Sequence, residues 1–222
     1  MALQASEEET IENLKTWWDE SGKRLVLIAI AVLAAYTSWL LLQNSRIATL
    51  EVASDLYEEV LRNAVLEPGT IPDEEQNLRI IELSAQLKEE HSASIYAQFA
   101  SLFSAQQLVR NGDLNGAENA LQWVLDNQKD GLFSTRDEGL VLTASLRLGR
   151  VILAKGEAER ALTLVNGVDP KTFESGFAEL RGDIYVVMDR FIDAREAYIA
   201  AQQSGSVSDA LRMKLDDLSN ES

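Results

Sequence analysis

The sequence predicts an all-α chain in which a single N-terminal transmembrane helix is followed by an α-solenoid of paired helices. Three observations predict it. Residues 25–42 form an uncharged apolar run. Beyond Arg46 the apolar residues recur at helical spacing, and the whole chain holds only three prolines, Pro68, Pro72 and Pro170. Small residues recur at matching positions in three successive segments. The composition narrows the function classes. The 222 residues carry 36 acidic against 20 basic side chains, a formal net charge of −16. That excludes a nucleic-acid partner, because phosphate contacts need clustered Lys and Arg. There is no cysteine and one histidine, His91. Disulfides, thiolate metal sites, a cysteine nucleophile and a lipoprotein anchor are therefore excluded, and most histidine chemistry lacks its raw material. The expectation is a non-enzymatic protein with no cofactor.

Residues 1–24 read as a cytoplasmic segment. Ile11, Leu14 and Trp18 fall on one helical stripe, and Glu7, Glu8, Glu9 and Glu12 suit a helix N-terminus. A lead-in to the span and a partner-binding helix both fit this pattern. The run from Leu25 to Leu42 extends about 27 Å as a helix, close to a hydrocarbon core of about 30 Å. Lys23 and Arg24 bracket one end and Arg46 the other, while Tyr36 and Trp39 sit where aromatic rings favour headgroups. The competing readings are a buried core helix, which an uncharged run of this length opposes, and a cleaved signal peptide. The acidic lead and the absence of a small-x-small site after the run oppose it. Lys15, Lys23 and Arg24 before the span against Arg46 after it place the N-terminus in the cytoplasm. Residues 43–222 then form a periplasmic domain, given a Gram-negative inner membrane.

The first part of that domain reads as a helical hairpin. Ala53, Leu56, Tyr57, Val60, Leu61 and Ala64 form one stripe of a helix over about 47–65. Residues 67–72, Glu-Pro-Gly-Thr-Ile-Pro, make a turn. Pro72 with Asp73, Glu74 and Glu75 opens a second helix carrying Leu78, Ile81 and Leu87.

Three repeats follow. In the third, Gly182 and Ala194 let two antiparallel helices approach closely, Tyr185 and Tyr198 fill the space beside them, and Met188-Asp189-Arg190-Phe191 turns the chain. The second has Gly149, Ile152, Gly156, Ala161, Val165 and Val168; the first has Ala105, Leu108, Gly112, Ala117, Leu121 and Val124. The spacing resembles the tetratricopeptide repeat. The alanines Ala117, Ala161 and Ala194 lie 44 and 33 residues apart, against a usual period of about 34. Residues 126–139 read as the insertion that lengthens the first interval. Val207, Leu211, Leu215 and Leu218 predict a capping helix over about 206–218.

Chemistry is sought and not found. Glu90-His91-Ser92 has no nucleophile elbow, and Ser92 reads as a helix N-cap. The paired carboxylates lack calcium-loop spacing. Asn111-Gly112-Asp113 and Lys155-Gly156-Glu157 are inter-helix turns, and Arg181-Gly182-Asp183 falls inside a helix. What remains is a surface. By template position, Phe99, Leu102, Gln106 and Arg110, then Thr143, Leu146, Arg150 and Leu153, then Glu179, Asp183 and Val186 line a concave protein-binding groove. For each of these, ordinary inter-helix core is an equal alternative.

The full-length order of features resembles the YfgM-type ancillary subunits of the SecYEG translocon. The resemblance rests on the amphipathic run Ile11 to Lys23, on residues 96–102 (Tyr-Ala-Gln-Phe-Ala-Ser-Leu), and on residues 146–151, 180–183 and 211–215. It implies a single-pass inner-membrane protein with a periplasmic repeat domain. It also implies partnership with SecYEG, with the membrane-anchored periplasmic chaperone PpiD and with newly exported polypeptide clients. A general cell-envelope scaffold in a signalling or division complex is the alternative. The charge divides as −3 over residues 1–24 and −13 over residues 43–222. An acidic repeat domain would stand away from anionic lipid.

Overall fold

A computed structural model describes residues 15–18, 22–65, 70–128 and 137–220; the side chains of residues 23, 41–48, 219 and 220 fall outside the described set. The contacts divide the chain into two units, residues 1–51 and 52–222. Most of the acidic lead, including Ile11 and Leu14, the turn residues 66–69 and most of the expected insertion, residues 129–136, lie outside the described residues.

Helix α1 runs from Lys23 to Ala64. It is continuous, so the helix expected over 47–65 is the end of a longer one. In the first unit its described apolar side chains, among them Leu27, Ile28, Val32, Leu33, Tyr36 and Trp39, are exposed. Thr37 donates its hydroxyl to the Leu33 carbonyl at 2.9 Å, which satisfies that polar group within the helix. Among the described residues no helix is long and apolar enough to cross a membrane. The side chains of Leu41 and Leu42, the last two residues of the apolar run 25–42, lie outside the described set.

In the second unit, Ala53 and Val60 of α1 pack on α2 (Glu74–Glu90) and α3 (Ile95–Arg110). Asp73 caps α2 in a reciprocal capping box with Gln76, the two bonds being 2.8 and 3.0 Å. The buried face of α2 carries Ile80, Leu83 and Leu87. Leu78 is exposed and Ile81 half-buried. Leu78, Ile81 and Leu87 all lie on this helix, and of the three Leu87 is fully buried. The N-cap of α3 is Ser94, not Ser92; Ser94 Oγ accepts from the Tyr96 amide at 3.1 Å.

Three helix pairs and a cap follow: α3 with α4 (Leu114–Asp126), α5 (Glu138–Ala154) with α6 (Ala158–Asn166), α7 (Glu174–Val187) with α8 (Phe191–Gln203), and α9 (Asp209–Asn220). Each helix packs on the next. The first helices of neighbouring pairs also touch, α3 on α5 and α5 on α7, which is how stacked hairpins share a core.

The turns inside the pairs repeat residue for residue. At Gly112, Gly156 and Asp189 the backbone is left-handed, with φ of 78°, 81° and 56°. Their amides donate to the carbonyls of Val109, Leu153 and Val186. The next amides, of Asp113, Glu157 and Arg190, donate to Leu108, Ile152 and Tyr185. These are the two bonds of a helix stop that requires a left-handed residue. The second helix begins two residues later each time, and Ala117, Ala161 and Ala194 are fully buried three residues beyond that start. Gly182 leaves room for the Tyr198 ring, and Gly149 for Leu180 of the following pair. Tyr185 is half-buried, with the Arg190 guanidinium 4.4 Å from its ring centroid.

The longer first interval is not one inserted loop. Helix α4 has 13 residues against 9 in α6, and α5 has 17 against 14 in α7. The connection itself supplies only part of the difference. At the far end, α9 starts at Asp209, and Ser208 Oγ accepts the Leu211 amide at 3.0 Å. Val207 therefore lies outside the helix and is 96% exposed, whereas Leu211 and Leu218 are buried.

Candidate protein-binding cleft

A concavity between α3, α4 and α5 has a volume of about 420 Å3. Its walls are Ala105, Val109, Leu114, Leu121, Val151 and Ala154. Its polar groups are Gln106 and three arginines, Arg110, Arg147 and Arg150. The helical repeat explains the grouping. Gln106 and Arg110 lie one turn apart on α3, and Arg147, Arg150, Val151 and Ala154 form a stripe on the neighbouring first helix, α5.

Arg147 Nη1 donates to the Leu102 carbonyl at 3.2 Å across the α3–α5 contact. Burial, and then the charge of Arg150, holds its guanidinium below the usual arginine range. Arg110 Nη1 donates to Gln107 Oε1 at 3.2 Å.

Of the residues expected to line the groove, Gln106, Arg110 and Arg150 come together here. The others do not. Leu102 is buried at 7% exposure, and Phe99, Leu146 and Leu153 are half-buried against the main core. Phe99 also meets the Tyr57 ring at 6.2 Å between centroids. Thr143 returns its hydroxyl to the Gly139 carbonyl at 2.7 Å. The third group is occupied by the chain itself: Lys214 of α9 pairs with Glu179 at 2.8 Å and Asp183 at 2.6 Å. Val186 packs in the same cluster as Leu211 and Leu218. The capping helix therefore covers the face assigned to the third repeat. Arg147, Val109 and Leu114 were missed. The signal available for Arg147 was its place one turn before Arg150 on α5; Val109 and Leu114 lie on α3 and α4 and carry no such signal.

Two polar clusters brace the repeats. Glu118 of α4 binds Lys155 at 2.6 Å and also Arg160 of α6, and Glu157 joins both cations at 3.2 and 2.7 Å. Hydrogen bonds from Arg160 and Lys155 hold the Glu118 carboxyl below the usual carboxylate range. Around Tyr198, burial and then the hydrogen bond to Asp183 push the phenol far up. Burial lowers the Lys214 ammonium, but its bonds to Asp183 and Glu179 outweigh that and raise it. A third, neutral tie fixes the end of α4: Gln98 donates to the Asn127 carbonyl at 2.9 Å and accepts from Gln128 at 3.2 Å.

His91 is the C-cap residue of α2, with its side chain 8% exposed, its ring nitrogens without a hydrogen bond and Nε2 3.9 Å from the Glu90 carboxylate. Ser94, three residues on, is engaged as the cap of α3. Among the described residues no group of three or more acidic or histidine side chains could hold a metal ion.

The profile of the family described as tetratricopeptide repeat-like domain matches residues 15–220. Three relatives are each named ancillary SecYEG translocon subunit. The one from Haemophilus influenzae is 30% identical over 220 residues, covering 98% of this chain and all of the relative. The one from Neisseria gonorrhoeae is 27% identical over 222 residues, covering 98% of this chain and all of the relative. The one from Escherichia coli is 28% identical over 224 residues, covering 99% of this chain and all of the relative. The stacked helix pairs and the full-length matches agree, and the chain belongs to the tetratricopeptide repeat-like family of YfgM-type proteins.

Proposed function

We propose that the chain is a non-enzymatic accessory subunit of the SecYEG translocon. Residues 25–42 hold it in the inner membrane, residues 1–24 lie in the cytoplasm, and the repeat domain meets protein partners in the periplasm. The partners on this reading are SecYEG, the chaperone PpiD and newly exported polypeptides. The observation that carries the reading is the end-to-end match to three relatives named as translocon subunits. Two features support it. The described apolar side chains of α1 in the first unit are exposed on a long helix, with Thr37 bonded internally, as a lipid-facing segment requires. The second unit is a stack of helix pairs, an architecture whose surfaces take protein ligands.

The test is affinity purification of the tagged chain from membranes in mild detergent. Co-elution of SecY and PpiD is the expected outcome, and retention of neither overturns the reading. Because the chain has no cysteine, single-cysteine variants report topology cleanly. Ser204→Cys should react with an impermeant maleimide from the periplasmic side, and Ser6→Cys should not.

A further inference from the structure

The cleft between α3, α4 and α5 is unusual in its charge. Several cations elsewhere in the repeats are matched by carboxylates, among them Arg79 with Glu59, Lys155 and Arg160 with Glu118, Lys171 with Glu138, Arg190 with Asp193, and Lys214 with Glu179 and Asp183. The three cleft arginines have no carboxylate partner among the described residues. Arg147 spends one bond on a carbonyl and Arg110 one on an amide, and Arg150 makes none. Three guanidiniums therefore converge on one apolar hollow in a domain whose net charge is −13. Arg147 and Arg150 face each other as like charges, and a bound anion would relieve that repulsion.

We propose that this cleft holds an acidic segment of a protein partner. A carboxylate bridges Arg110, Arg147 and Arg150, and a neighbouring apolar side chain rests on Val109, Leu114 and Ala154. The proposal rests on the reading of the repeat domain as protein-binding and names the chemistry of one partner. Guanidinium forks suit carboxylates in bidentate geometry. The apolar walls distinguish the occupant from a free anion. The concave form distinguishes it from an anionic bilayer, which would need a flat basic face and which the acidic domain repels.

The test uses the full-length chain in detergent micelles. The probes are three fluorescein-labelled dodecapeptides with the centres Glu-Leu-Leu-Glu, Gln-Leu-Leu-Gln and Lys-Leu-Leu-Lys in Gly-Ser flanks. The Glu peptide should bind about tenfold or more tighter than the other two and weaken as salt rises. The double variant R110Q/R150Q should cost about tenfold or more for the Glu peptide and little for the Gln peptide. Both residues are exposed, so melting curves should stay unchanged. Arg147 is left intact because it also braces α3 on α5. V109D is the second variant and should abolish binding with all three arginines present. Equal binding of the Glu and Gln peptides, unchanged affinity in both variants, or arginine-dependent capture of phosphatidylglycerol vesicles without peptide binding would overturn the proposal. SecY co-elution with the same proteins separates the two claims. If wild-type chain binds the peptide but never retains SecY, only the translocon reading fails. If it retains SecY but shows no charge-selective binding, only the cleft proposal fails.

Discussion

The ring of Tyr198 lies directly over Gly182, and its hydroxyl donates a 2.7 Å hydrogen bond to the neighbouring Asp183. A methyl group at 182 would overlap that ring, and the ring is anchored at both ends, by the α7–α8 contact and by the hydroxyl. Gly182→Ala should therefore cost about 1–3 kcal/mol. Gly149→Ala meets the tip of Leu180 at 2.8 Å, with Val165 and Leu164 at 3.4 and 3.5 Å, and should cost less. Urea melts of the two variants, compared at equal m-value, check the order.

Tyr198→Phe removes the hydroxyl bond and should cost about 1 kcal/mol at neutral pH. The folded phenol titrates above its unfolded value of about 10, so its contribution is complete below pH 10 and is lost as pH rises beyond it. The stability difference between wild type and Tyr198→Phe should shrink above pH 10. Thermal melts from pH 7 to 11 would show it, and a constant difference would contradict the assignment.

Glu118 acts in the opposite direction. Its folded carboxyl lies below the ordinary range, so its contribution is present above about pH 4.3 and disappears as pH falls toward the folded value. Glu118→Gln should lower the melting temperature at pH 7 and flatten the acid limb between pH 5 and 3. High salt should reduce the effect, because Arg160 is half exposed.

Asp189 takes the left-handed position that glycine holds in the two preceding turns. Asp189→Gly should stabilise the chain by about 0.5–1 kcal/mol, and Gly156→Ala should destabilise it by about 1 kcal/mol. Chemical denaturation of both variants tests the equivalence of the turns.

Lys214 joins α9 to two carboxylates on α7. Lys214→Ala leaves Glu179 and Asp183 facing each other and should loosen the capping helix. Hydrogen exchange should quicken over residues 209–220 and leave α3 to α6 unchanged, as expected where stability passes between nearest neighbours.

The helix pairs were legible because their signals are local. Gly112, Gly156, Ala117, Ala161 and Ala194 each report a turn or a close helix contact that only small residues permit. Which apolar residues of α2 face the core was not legible, because Leu78 and Ile81 are as apolar as Ile80 and Leu83, and periodicity alone does not rank them. The groove was only partly legible. Template position placed Gln106, Arg110 and Arg150, but Leu102 and Leu146 are as suited to a core as to a binding face. The cover over Glu179 and Asp183 depends on a contact between residues 35 and 31 positions apart. No local pattern announces that contact.

The register inside each pair has a consequence for how length can change. The left-handed residue, the start of the second helix and the buried alanine keep the same offsets in all three pairs, although the pairs stand 44 and 33 residues apart. Added residues have gone to the end of one pair and the beginning of the next, and none to the turn within a pair. Closing a longer loop at such a junction costs only about 0.6 kcal/mol per doubling, whereas one extra residue in the inner turn would rotate a whole helix out of contact. The junction between α4 and α5 is therefore the place where a reporter or an epitope can be spliced into the domain with its stack intact.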